Sequence, residues 1–157
     1  MSQWVKISFV LCTVGILFST CSKDPSYPII PGVTDARIVT KSGNLADVVF
    51  NFTDGDGDIG WPTNDSLRAQ KDVILKYQQL QNGVWVDQSD FEYEFQLTPS
   101  LTPIGQDKFL EGEVSVEIAY PPPPPGPVVG DTIRFGVILK DRAAHASMLV
   151  YSPQKVL

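Results

Sequence analysis

The chain has 157 residues, enough for one domain with its own hydrophobic core. Its formal net charge of −6, with no basic stripe, opposes nucleic acid or anionic lipid head groups as partners of the folded part. One histidine and two cysteines offer little to a zinc centre or a disulfide framework.

Residues 1–20 carry one positive charge, Lys6, then an apolar run over residues 7–18, then the small polar pair Ser19-Thr20 ahead of Cys21. That is the layout of a secretory signal peptide. The run is about a dozen residues, and a helix needs about twenty to cross a bilayer. LFSTC, residues 17–21, resembles the lipobox of bacterial lipoproteins. The resemblance implies that Cys21 becomes the first mature residue and carries the acyl chains that anchor the protein to a membrane. The alternative is a simple secretory signal cleaved near the same place, which leaves Cys21 a free thiol. Cys12 lies in the removed segment, so no disulfide is expected in the mature chain.

Residues 21–33 hold three prolines and no periodic pattern, and are expected to form a tether. About ten such residues at about 3.3 Å each reach at most roughly 35 Å. Ser22-Lys23-Asp24 resembles the short acidic export signals of surface lipoproteins in the Bacteroidota, with a plain solvated linker as the alternative.

From residue 34 to residue 157 the apolar pattern has period two. Val48, Phe50 and Phe52 are expected to face inward on one strand, Val73, Leu75 and Tyr77 on the next, and Ile133, Phe135, Val137 and Leu139 on a later one. Phe91, Tyr93, Phe95 and Leu97 alternate with Glu92, Glu94 and Gln96, while Leu110, Val114, Val116, Ile118 and Tyr120 alternate with Glu111, Glu113, Ser115 and Glu117. Asn82-Gly83 predicts a hairpin turn into Val84-Trp85-Val86. No window has a sustained helical period, so the expected fold is an all-β antiparallel sandwich of seven or eight strands, immunoglobulin-like or fibronectin III-like. A jelly roll or small barrel is the alternative. The proline run over residues 121–125 predicts a polyproline II spacer between two strands, with capture of a proline-binding partner as its other use.

The segment FTDGDGDIG, residues 52–60, follows the first of these strands. In an immunoglobulin-like sandwich it opens the loop after the second strand, and Asp141 to Ala146 forms the loop near the end of the chain. Those two loops lie at the same end of such a fold. Asp54, Asp56, Asp58 and Asp141 are therefore expected to converge, and four carboxylates in one small region call for a cation. Calcium takes six to eight hard oxygen ligands, and glycines between the ligands let a loop wrap it. The spacing of the first three resembles the first half of an EF-hand loop, but Ile59 stands at the position of the turn glycine, Asp65 at that of the bidentate glutamate, and a strand leads in. A calcium loop of a β-sandwich is the reading kept, with Asp35, Asn64, Asp65 and Asp72 as lesser ligand candidates. A glycine-aspartate turn without metal is the alternative. Because the first strand runs antiparallel to the second, the tether enters the domain at the acidic end, and the ion is expected to stiffen that end.

Trp61 and Trp85 would suit sugar stacking if both lay exposed, and the sandwich core if not. No catalytic constellation stands out, with His145 beside Asp141 read as a loop residue, so no enzymatic activity is expected. Cys21, the D-G-D-G-D-I-G motif of residues 54–60, Leu110-Glu111-Gly112-Glu113 and Lys140-Asp141-Arg142-Ala143 together resemble small lipoproteins of Bacteroidota cell envelopes. The resemblance implies an immunoglobulin-like domain at the outer membrane. Two roles compete: a calcium-stabilised structural or protein-interaction module, and an accessory glycan-binding lipoprotein. In either the domain is expected to be monomeric.

Overall fold

The computed structural model describes residues 26–42, 45–61, 71–97, 109–119 and 130–157. The expected signal peptide, Cys21, Asn64, Asp65 and the proline run lie outside the described residues. Among the described residues eight strands are formed: β1 (Gly32–Thr40), β2 (Leu45–Asp54), β3 (Val73–Gln81), β4 (Val84–Phe95), β5 (Leu110–Ala119), β6 (Thr132–Leu139), β7 (Val150–Tyr151) and β8 (Lys155–Val156). One sheet has the order β1-β2-β5 and the other β4-β3-β6-β7, with β8 also on β6, and every pairing is antiparallel. This is the all-β antiparallel sandwich expected from the sequence.

Period-two alternation sorts the strands into faces as the sequence led us to expect. Ala46, Val48 and Phe50 on β2 stand opposite Ile118, Val116 and Val114 on β5, and all six are buried. Phe52 is opposite Gly112, where a Cβ would lie 3.1 Å from the Phe52 ring, so the glycine makes room for the aromatic. From the other sheet, Val73, Leu75 and Tyr77 join Ile133, Phe135, Val137 and Leu139, none more than 1% exposed. Tyr77 and Tyr93 both lean on the Phe135 ring, with centroids 5.4 and 6.3 Å away. These apolar faces supply the main driving force for folding.

At the predicted hairpin, Asn82 and Gly83 have φ of +52° and +80°, the two left-handed residues that a two-residue turn requires. The sequence suggested separate short strands after this turn. The structure joins them as β4, with a register shift where β4 carries extra residues between Asp87 and Glu92. The last strand is broken instead. β7 and β8 both pair with β6, and Pro153, which has no N–H to give a ladder, lies between them. Ser152 covers the gap, its Oγ accepting from the Phe135 amide at 3.1 Å. Ser147 does the same one turn of the chain earlier, its Oγ accepting from the Leu139 amide at 2.9 Å.

Candidate metal centre

β2 delivers Asp54 to the end of the sandwich and β6 delivers Asp141 beside it, one from each sheet. The loop after β2 then turns back on itself. Gly57 has φ of +71° and Gly60 of +81°, conformations that a side chain would strain. Ile59, 0% exposed, plugs the core between them and fixes the loop to the domain. The isoleucine that breaks the EF-hand pattern is thus the loop's anchor.

The loop after β6 is pinned to the first. The Arg142 amide donates to the Asp58 carbonyl at 3.3 Å, the Arg142 guanidinium to the Gly60 carbonyl at 2.9 Å, and the Ala143 amide to Asp58 Oδ2 at 3.1 Å. Asp141 in turn holds His145, accepting from its backbone amide and meeting its Nδ1, each at 2.8 Å. Ala144, at φ of +68°, closes this tight turn.

Asp54, Asp56, Asp58 and Asp141 are brought together: each offers one carboxylate oxygen, and the four lie within 4.8 Å of one another. Oxygens on opposite sides of a calcium ion stand about 4.6 to 5.2 Å apart, twice the usual bond length. The set therefore fits around a single ion. Asp54 is 0% exposed and Asp141 2%, while Asp56 faces solvent. Asp54 Oδ2 accepts from the Asp58 amide at 3.0 Å. Its Oδ1 and that of Asp58 are buried with no hydrogen-bond partner. A buried carboxylate oxygen left bare is costly, and a cation removes the cost.

The electrostatics carry the same sign. Burial pushes the Asp54 carboxyl up to about 6, opposed by amides of Asp58 and Gly57 and reinforced by the charges of Asp56 and Asp58. Burial also raises Asp58, with Asp141 and Asp56 adding repulsion that the Ala143 amide and Arg142 partly offset. His145 is raised chiefly by its hydrogen bond to Asp141.

Of the lesser candidates, Asp35 and Asp72 are placed elsewhere. Asp35 sits at a bulge in β1 with φ of +52°, its Oδ2 accepting from Asn51 Nδ2 on the outer face of the first sheet. Asp72 is 1% exposed, and its carboxylate takes the Trp61 indole N–H at 2.5 Å and the Leu97 amide at 2.8 Å. Its own amide and carbonyl bond to Phe95 and Lys140, so it ties together the ends of β3, β4 and β6. Burial raises its carboxyl, against the pull of those two donors. Sequence reasoning saw Asp72 as a ligand and missed this structural role; the cue was a carboxylate directly before the apolar start Val73-Ile74-Leu75 of β3, with a tryptophan a loop away.

Trp61 is 3% exposed, so it is a support of the loop base and not a stacking surface. Trp85 lies half-buried on the outer face of the second sheet, where the Arg134 guanidinium is held 4.2 Å from its ring and 3.9 Å from that of Tyr151. The two tryptophans form no exposed pair. Comparison with protein-family models, with curated proteins and with solved structures finds no match. The functional reading rests on the site itself.

Proposed function

We propose that this chain is a membrane-anchored cell-envelope lipoprotein whose sandwich is a non-enzymatic structural or protein-interaction module stabilised by calcium. The observation that carries the cation is the convergence of Asp54, Asp56, Asp58 and Asp141 around two buried, unpartnered carboxylate oxygens. Hard oxygen donors from acidic side chains suit calcium, with loop carbonyls and water completing its shell. The ion offsets repulsion among groups contributed by both sheets, so its binding energy adds to the stability of the whole domain. The anchor rests on the resemblance of residues 17–21 to a lipobox.

Thermal melting of the mature chain with calcium and with chelator tests the first half. A ligand at about a hundred times its dissociation constant adds roughly 2.7 kcal/mol. The midpoint should rise with millimolar calcium, and the rise should be lost in Asp56→Asn and in Asp141→Asn. An unchanged midpoint in the wild-type chain rejects the metal. Partition of Cys21→Ser into the soluble fraction, with the wild type in the membrane fraction, tests the second half.

A further inference from the structure

Gly55 lies between two of the clustered carboxylates, and its φ is not in the left-handed region, so the turn itself does not demand a glycine there. Space demands it. A Cβ at this position would collide with the Tyr27 carbonyl oxygen and would come within 2.6 Å of the Pro28 carbonyl oxygen. The segment that leads into β1 therefore crosses the root of the acidic loop with its backbone oxygens against it. Tyr27 holds it there from the other side: its hydroxyl donates to Glu111, and its ring meets Phe109 edge-on at 5.5 Å. Glu111 and Leu110 stand directly across from Thr53 and Asp54, so the segment spans β2, its loop and the start of β5.

We propose that residues 26–31 act as a clasp whose docking on the acidic loop and whose release are linked to cation occupancy. The inference rests on the cation reading above. Peptide carbonyl oxygens carry partial negative charge, and Tyr27 and Pro28 present two of them to a loop that already holds Asp54, Asp56 and Asp58. Without a cation the docked segment is repelled; with one, the same oxygens are attracted. Docking thus has different energies in the two states, which is the condition for coupling, and the coupling is reciprocal: the clasp must raise the loop's affinity for the ion. Release of these residues would add about 20 Å to the reach of the chain that precedes the domain.

The test uses the full mature chain, titrated with calcium and followed by hydrogen exchange. Tyr27→Ala removes the side-chain hold without touching a carboxylate, and Gly55→Ala pushes the segment off from beneath. Each should weaken calcium affinity by about fivefold or more, the lower end of usual coupling between sites. In the wild type, the amides of Ile29 and Ile30 should exchange more slowly with calcium than with chelator. If the wild type binds calcium, yet Tyr27→Ala binds it equally and the two amides exchange at one rate throughout, the clasp is overturned and the cation site stands. If the wild type binds no calcium, the cation site falls and takes the clasp with it.

Discussion

Asp54 is a carboxylate 0% exposed to solvent, which makes its protonation a stability variable. Its carboxyl is pushed up to about 6 from an ordinary value of 3.8, chiefly by burial. Below pH about 4 the folded and unfolded chains both hold the proton. Between about 4 and 6 the unfolded chain gives it up while the folded chain keeps it, so stability falls as pH rises through that window and then levels. The full effect is about 3 kcal/mol. His145, raised by Asp141, has the same sign, since stability from a raised histidine is present at low pH and lost as pH rises. In chelator the protein should therefore melt higher at pH 5 than at pH 7.5, and calcium, which selects the ionised carboxylates, should reverse that order. Asp54→Asn should flatten the acid side of the profile in chelator, raise stability at pH 7.5 by about 1 to 3 kcal/mol, and abolish the calcium response. Destabilisation of the metal-free chain by this substitution would count against a repulsive, cation-seeking site.

Among the elements, the last strand shows how the sandwich closes at its edge. Ser147 and Ser152 each accept a β6 amide through a hydroxyl while their own amides bond to the carbonyls of the same residues, Leu139 and Phe135. Alanine at either position leaves a buried N–H bare, and should cost about 1 to 3 kcal/mol in urea denaturation. Cysteine or threonine, which keep an acceptor, should cost less. Most of the strands were legible beforehand because the signal is local: alternation in β2, β3, β5 and β6 places one apolar residue in two against the core, and Asn82-Gly83 can hardly be other than a turn. Convergence of Asp54 and Asp141 was legible once the topology was assumed, since strands lettered in that fold end together. The serine repairs were not, because a hydroxyl looks the same in sequence whether it faces water or mends a ladder. Asp72 escaped for a related reason. It was read as a ligand, and only its hydrogen bond to Trp61 tells an internal support from a surface group.

At the scale of the whole molecule, the clustered carboxylates and the segment before β1 lie at one end of the domain, so with the proposed cation bound a change of ion would be felt where the chain enters the sandwich. The opposite concern is what the domain does to its neighbours. β7 has only two residues, Pro153 interrupts the strand after it, and β8 has only two more. A long, straight outer strand would offer a row of open N–H and C=O groups to the next copy. Pro153→Val, by letting Val150 to Val156 run as one strand, should produce concentration-dependent dimers in sedimentation, with unchanged behaviour as the result that denies the barrier. Copies held on one surface, as the lipoprotein reading requires, are confined to two dimensions and collide far more often than in solution. The broken strand is then a safeguard against fibre-like stacking in a crowd: this edge of the sandwich is built to be a poor template.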